Sequence, residues 1–418
     1  MSAFSTERAY ALELDADDPI AYLREQFVHD DSGLIYLDGN SLGRLPKAAT
    51  RRLAEVVERE WGHGLIRSWS RWVEQPVRVG DRLGAALLGA AAGQVVVSDT
   101  TTANLYKLAV AALDARPDRR VIVTDDDNFP TDRYVFEGIA AQRGLELRMI
   151  HADMDQGLSL AALREAVDAD TALVSLSHVA YRSGALLDMG AVNDLVHDRG
   201  ALVLWDLCHA AGAVPIELDA TGSDLAVGCT YKYLNAGPGA PAFLYVRRGL
   251  QAALRQPIWG WFGQRDQFAM GPSYDPEPTI ARFTTATPSI LGIAAVEEGV
   301  RPLADAGIDR LRAKGSALTS YLIELAGAWL PGLTLATPRD PARRGSHVAL
   351  RHPEAWRLTQ ALIAVDVIPD YRTPDRLRLG PAPAYTRFAD VWEALSRLRE
   401  IVETKSYERF PAERTRVT

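Results

Sequence analysis

The sequence predicts an α/β fold: a mostly parallel seven-stranded sheet with helices on both faces, joined to a smaller α+β C-terminal domain. Seven short β-rich runs recur between residues 95 and 247, and helical patterns lie between many of them. Strands that alternate with helices imply parallel pairing through crossovers. Several of the runs are apolar on both alternating faces, as strands covered from both sides should be. From about residue 296 the pattern changes to helices flanking a few strand-like runs.

In chain order, residues 1–55 hold one strand-like run, GLIYLD (33–38), and are expected to pack on the smaller domain. The large domain is expected over 56–295. Its runs are VVVSDT (95–100), RRVIVTD (119–125), LELRMI (145–150), TALVSLSHV (171–179), ALVLWDL (201–207), LAVGCTY (225–231) and PAFLYVR (241–247). Helical patterns occupy 102–114, 131–143, 157–168 and 188–199. The spacing shrinks between Tyr231 and Pro241, where NAGPGAP reads as a turn, so a hairpin there adds one antiparallel strand. The C-terminal domain is expected over 296–418, with helices near 300–329 and 389–402 and strands in GLTLAT (332–337) and GSHVALRH (345–352).

Composition narrows the function. A chain of 418 residues is too long for one simple core. Its net charge of -8 and scattered basic residues argue against nucleic acid as a partner. Cys208 and Cys229 make neither a disulfide framework nor a metal-type spacing, so no metal is expected and a reducing, cytoplasmic setting fits. The acidic N-terminus lacks the apolar core of a signal peptide. The longest apolar stretch, Leu83 to Val97, is too short and too interrupted by glycine to span a bilayer.

Ligands of such sheets gather at the carboxyl ends of the strands. Lys232 lies there, in GCTYKYLNAGPGAPAF (228–243). Five of the 46 basic residues are lysines, and Lys232 stands alone between Lys107 and Lys314. A guanidinium stays protonated, whereas an ε-amine can lose its proton and form a Schiff base. Lys232 reads either as a reactive amine or as a snorkelling lysine at a strand end. SDTTTANLYKL sets Thr100, Thr101 and Thr102 at a helix start, which suits a phosphate site or plain N-capping. DNFPTDRY offers Phe129 to stack on a flat ring and Asp132 to cap or bind. VLWDLCHAAG ends an apolar strand at Asp206, with His209 three residues on. A carboxylate there needs a cation, either a protonated pyridine nitrogen or a structural partner. An aspartate and a lysine on neighbouring strand ends, beside a phosphate site and an aromatic stacker, form the layout of a pyridoxal phosphate (PLP) site.

Longer motifs carry a family resemblance. YLDGNSLGRLP (36–46), EWGHGLIRSW (60–69), DTTTANLYK (99–107), NFPTDRY (128–134), SLSHVAYRSG (175–184), WDLCHAAGAVP (205–215), GCTYKYLNAGPGAPAFLYV (228–246), GWFGQRDQFAM (260–270), RRGSHVAL (343–350) and LRLGPAPAYTRF (377–388) resemble the kynureninases, fold-type I PLP enzymes, over nearly the whole chain. The resemblance implies that Lys232 is the Schiff-base lysine, that Asp206 faces the pyridine nitrogen and that Phe129 covers the ring. It implies that Thr101, Thr102, Asp132, Ser177, His209, Tyr231, Trp261 and Thr287 line the cofactor and its phosphate. Arg378 is implied to grip the α-carboxylate of the substrate, with Asn40, Ser41 and Trp69 also at the substrate. Such enzymes are homodimers with active sites at the subunit interface, so Trp261 and Thr287 are expected to reach across from the partner. Ala180 and Gln264 depart from the usual asparagine and histidine, and Cys208 fills a slot often held by alanine.

The implied reaction is hydrolysis of L-kynurenine to anthranilate and L-alanine, with 3-hydroxykynurenine turned over more slowly. Lys232 would serve as general base and Tyr231 as proton donor and acceptor. The rival readings are a cysteine desulfurase-like PLP enzyme and a catalytically silent PLP-fold binding module. The first needs a nucleophilic cysteine on a mobile loop; the second usually carries a DNA-binding domain or lacks the lysine.

Overall fold

The structure, a computed structural model, describes residues 4–29 and 33–414. A two-residue strand near the N-terminus, β1 (Ile35–Tyr36), precedes the main sheet. That sheet has seven strands: β2 (Val95–Val97), β3 (Val121–Asp125), β4 (Glu146–Ile150), β5 (Thr171–Ser177), β6 (Leu202–Asp206), β7 (Leu225–Gly228) and β8 (Phe243–Val246). Their order is β2-β8-β7-β6-β5-β3-β4. The hairpin strand β8 runs antiparallel to both neighbours, and the other pairings are parallel. β5, β6 and β7 are buried along their whole length, which suits their largely apolar runs.

β7 stops at Gly228, three residues short of the expected end at Tyr231. Here the chain turns instead: the Asn235 amide donates to Lys232 O at 2.9 Å, and Asn235 adopts a left-handed φ of 57° that asparagine tolerates. The helix expected near 300–329 is two helices, Ile290–Ala306 and Ile308–Trp329. They break at Gly307, whose φ of 84° suits glycine.

A second sheet holds β9 (Thr334–Leu335), β10 (Val348–Arg351), β12 (Asp370–Arg372) and β13 (Arg376–Leu379), antiparallel in the order β12-β13-β10-β9. β11 (Val367–Ile368) pairs with β1 instead. β11, β12 and β13 are two to four residues long, too short for periodicity to reveal them. The N-terminal segment divides between two cores. Ala11, Ile35 and Leu37 pack with the C-terminal helices and sheet, whereas Ile20, Leu23 and Phe27 join the core of the main sheet. Among the described residues, no helix is long and apolar enough to cross a membrane.

Candidate active site

The site forms where four adjacent strands, β3, β5, β6 and β7, end. Ser177 closes β5 and Asp206 closes β6, paired side by side in register. Asp206 is buried, and its Oδ1 accepts from the Cys208 amide at 2.8 Å. Ser177 Oγ lies 3.3 Å from Asp206 Oδ2 and 2.8 Å from Oδ1 of Asn128. Asn128 also accepts from the Phe129 amide at 2.8 Å and donates to Thr124 Oγ1 at 3.0 Å. One asparagine thus fixes both the Phe129 turn and the serine beside Asp206.

Lys232 follows β7 after the turn and is buried. Its Nζ lies 3.3 Å from His209 Nε2 and 5.6 Å from the centroid of Phe129. The sequence alternative of a snorkelling surface lysine therefore falls. Burial, then the Lys232 charge, holds the His209 imidazolium well below its ordinary range, so the ring is neutral. Phe129 meets Tyr181 edge to face at 5.3 Å.

Thr100 settles the capping question, because its side chain accepts from the Ala103 amide at 3.2 Å as the N-cap of helix Thr101–Asp114. Thr101 Oγ1 instead approaches Cys208 Sγ at 3.9 Å, and Thr102 stays exposed at the helix start. Asp132 lies in the first turn of helix Pro130–Arg143 without capping it. Its Oδ2 is buried without a hydrogen-bond partner. Burial and then the nearby Asp206 push its carboxyl well above the usual range. Tyr231 is half-buried; burial, then the neighbouring Cys229 and Cys208 thiols, raise its hydroxyl so that it keeps its proton.

The N-terminal segment reaches this site through Gly43. The Gly43 amide donates to Tyr231 O at 2.8 Å, and a Cβ there would stand 2.3 Å from both Lys232 O and Asn235 Oδ1. The close approach brings Asn40 and Ser41 to Arg378, which is almost completely buried on β13. Arg378 Nη2 donates to Ser41 Oγ at 3.0 Å. With its amide oxygen turned inward, Asn40 accepts from Arg378 Nε at 2.8 Å.

Trp69, Trp261 and Thr287 lie elsewhere. Trp69 packs edge-on to Trp72 at 5.7 Å and tilted against Phe262 at 6.0 Å, while Trp261 contacts Phe262 at 4.6 Å. Ala286 and Thr287 are exposed. Among the described residues, no hydrogen bond or ring contact joins Trp69, Trp261 or Thr287 to Lys232, Asp206 or Phe129. Thr285 is anchored nearer: its Oγ1 donates to Asp99 Oδ1 at 3.1 Å, and Asp99 Oδ2 pairs with buried Lys107 at 2.6 Å.

Two departures acquire structural settings. Ala180 lines a cavity of about 30 Å³ with Asn128 and Ser177. Gln264 accepts from the Asp275 amide at 2.7 Å and fastens the loop that follows it. Sequence reasoning missed Asn128, although it adjoins Phe129 in DNFPTDRY, and Asp370, which pairs with Arg378. It also missed His347, a buried ring 5.7 Å from His209 with no partner for either nitrogen.

The donor set fits a flat, anionic cofactor bearing a carbonyl. It combines a buried amine, a ring face, a carboxylate at a strand end, an unpartnered buried carboxyl oxygen and a helix N-terminus with Thr101 and Thr102 in its first turn. Among the described residues there is no histidine, cysteine and carboxylate cluster able to hold a metal.

Comparison with known proteins agrees. Residues 311–398 match the kynureninase C-terminal domain family, and residues 82–218 match the DegT/DnrJ/EryC1/StrS aminotransferase family. The kynureninase of Burkholderia pseudomallei strain K96243 is 48% identical over 410 residues, 96% of each chain. That of Pseudomonas fluorescens is 48% identical over 412 residues, 96% of this chain and 97% of the relative. Among solved structures, the apo cysteine desulfurase of Thermococcus onnurineus NA1 has a TM-score of 0.78 at 18% identity, covering 97% of this chain and 100% of its own. A lysine-to-alanine mutant of C-DES, with glycine covalently linked to its PLP cofactor, has a TM-score of 0.79 at 18% identity, covering 90% and 99%. These two likenesses establish the fold.

Proposed function

This chain belongs to the kynureninase family, and on that premise we propose which of its residues carry out the hydrolysis of L-kynurenine to anthranilate and L-alanine. The protein is a PLP-dependent hydrolase. The observation that carries the assignment is the buried Lys232 amine, 3.3 Å from neutral His209 and facing Phe129.

Bound PLP supplies an electron sink for the bonds broken at the substrate. Lys232 would hold it covalently, and its amine would be the base that takes the substrate's α-proton. Asp206 supplies the anion that keeps the pyridine nitrogen protonated, and Ser177 and the Cys208 amide orient that carboxylate. Phe129 covers the ring. Thr101 and Thr102, in the first turn of their helix, would meet the phosphate, and Asp132, whose carboxyl feels Asp206, would line the cofactor near that aspartate. Tyr231, which keeps its proton, donates it after water adds to the γ-carbonyl and the Cβ–Cγ bond breaks. Arg378, with Asn40 and Ser41, grips the α-carboxylate through a guanidinium already held in one plane. In this division of labour, residues 56–295 hold the cofactor, while 1–55 and 296–418 supply the carboxylate grip.

The enzyme is further inferred to work in the cytoplasm as a homodimer. Trp61 and Ile66, shortly before Trp69 in the chain, and Trp259, Phe268 and Met270, on either side of Trp261, are exposed large apolar residues, and Phe268 meets Trp261 edge-on at 6.0 Å. Large apolar side chains left in water mark a candidate interface. A second copy covering it would bring Trp261 and Thr287 to the partner's cofactor. A desulfurase-like reading is disfavoured because Cys208 and Cys229 are both buried.

The test is direct. Purified protein loaded with PLP should show the visible absorbance of bound cofactor, shift it on adding L-kynurenine, and release anthranilate and L-alanine in equal amounts. Release of sulfur from cysteine without release of anthranilate would overturn the reading.

A further inference from the structure

We propose that Asp370 is the positioning residue for substrate recognition, holding the Arg378 guanidinium in the plane and place where it meets the α-carboxylate. The inference rests on the reading of Arg378 as the carboxylate's partner and deepens it.

Arginine has a long, flexible stem, and its guanidinium meets a carboxylate in one set geometry only if its plane is fixed beforehand. Asp370 is placed to do this. It lies directly opposite Arg378 in the antiparallel register of β12 and β13, and both side chains are almost fully buried. Nη2 of Arg378 donates to Oδ2 of Asp370, and Ser41 Oγ lies 3.3 Å from the same oxygen. Nη1 of Arg378 donates to the Tyr181 carbonyl. Asn40 takes the Nε edge. The guanidinium is thus fixed on three sides by the N-terminal segment, the Tyr181 loop and Asp370.

The other oxygen of Asp370 does a second task. Its Oδ1 accepts from Nη1 of Arg372 at 2.9 Å. One carboxylate is therefore shared between two guanidiniums, which lessens their mutual repulsion and, while the facing Asp38 carboxyl keeps its proton, leaves one positive charge uncompensated. A buried charge left partly uncompensated is unfavourable until an anion arrives. An α-carboxylate is such an anion, and the amine analogue that lacks it offers the guanidinium none.

The experiment compares Asp370→Asn, Asp370→Glu and Arg378→Gln in the PLP-loaded enzyme. Each is assayed with L-kynurenine, and with the amine analogue lacking the α-carboxylate as a competitive inhibitor. For Asp370→Asn the KM for kynurenine should rise on the order of tenfold or more. Its kcat should change little, and its inhibition constant for the amine should stay put. If Asp370→Asn does not fold, Asp370→Glu, which moves the charge by one methylene, should show the same split. An unchanged KM, or loss of amine binding in step with loss of kynurenine binding, overturns the proposal and leaves Asp370 a structural ion pair. Arg378→Gln separates the two levels of argument. If it too leaves KM unchanged, the reading of Arg378 fails; if it raises KM while the Asp370 variants do not, this inference alone fails.

Discussion

Nζ of Lys232 lies 3.3 Å from Nε2 of His209, and both side chains are buried. A neutral imidazole can accept from the amine at that nitrogen, so it steers the amine while leaving it free to react. Lys232→Arg can keep this hydrogen bond, and the fold should survive in circular dichroism. A guanidinium can neither form the Schiff base nor take the α-proton at neutral pH. The variant should lose the visible absorbance of covalently held cofactor, and turnover should drop by a factor of about 10² or more. Retained turnover would show that another residue is the base.

Asp206 offers a finer test. Its Oδ1 accepts from the Cys208 amide at 2.8 Å, a bond that an asparagine can retain. Asp206→Asn should therefore fold and bind PLP, yet its uncharged amide cannot hold the pyridine nitrogen protonated. Turnover should fall more than about tenfold, or roughly 1.4 kcal/mol in the barrier. A smaller loss would assign Asp206 to architecture.

Asp38 makes substrate affinity depend on pH. It follows β1, bridges to Gly380, and has a buried Oδ1 with no partner. Asp370 and Arg372 face it from β12, Arg378 from β13, Ser41 and Tyr36 from its own segment, and Tyr233 and Tyr385 from beyond. Burial, then repulsion from Asp370, raises its carboxyl to about 7, against which Arg378 and Arg372 pull it down. The sign follows from a raised acid. Below about 7 Asp38 is neutral and the arginine pair keeps its spare positive charge; above it, the ionised carboxylate cancels that charge. Affinity for kynurenine should fall as pH rises through about 7, by up to about tenfold per pH unit. The raised value also works on folding: this carboxyl favours the native state at low pH, and the contribution is lost as pH rises through about 7. The profile of 1/KM against pH should lose this step in Asp38→Asn, and a step that persists there belongs to another group.

The parts of the site that sequence made legible share a physical cause. Lys232 stood out because arginine is the default cation here, and Asp206 because a carboxylate ends an otherwise apolar strand. The turn residues of NAGPGAP announced β8, the single reversed strand. What sequence hid is pairing across distance. Asp370 and Arg378 meet through the register of two strands of three and four residues, and neither strand is long enough to have a period. The threonine triplet was ambiguous because capping and phosphate binding want the same residues. The structure divides the work, giving the cap to Thr100. The family pattern sets Trp69, Trp261 and Thr287 beside the cofactor residues, but within one chain Trp69 and Trp261 share an aromatic cluster through Phe262 and Thr287 is exposed.

That patch predicts the assembly. Ile66 is 76% exposed and Met270 71% exposed, values a lone subunit gains nothing by keeping. Sedimentation should find a dimer, and Met270→Asp or Ile66→Asp should weaken it. Activity should fall together with dimer content as the protein is diluted. A fully active monomer would contradict the shared-site arrangement.

The last prediction concerns the choice between kynurenine and its 3-hydroxy derivative. Trp69 is half-buried between Trp72 and Phe262, so its ring is held as part of an apolar wall, and Ala286 offers no hydrogen bond. The family resemblance implies a histidine at the first of these positions and a serine–asparagine pair at 286–287 in members that favour the hydroxylated substrate, groups that can bond a ring hydroxyl. Where the dimer brings Trp69 and Ala286 to the substrate ring, that hydroxyl loses water without gaining a partner, which costs roughly 1–3 kcal/mol. We therefore expect kynurenine to be preferred by a factor on the order of ten in kcat/KM. Both substrates should be offered in one vessel and their loss followed separately, first with the native enzyme and then with Trp69→His. The native enzyme should consume kynurenine first, and Trp69→His should narrow the ratio chiefly by improving the hydroxylated substrate. If the native enzyme consumes both equally, or if Trp69→His slows both in proportion, the tryptophan supports the patch without reading the substrate's ring.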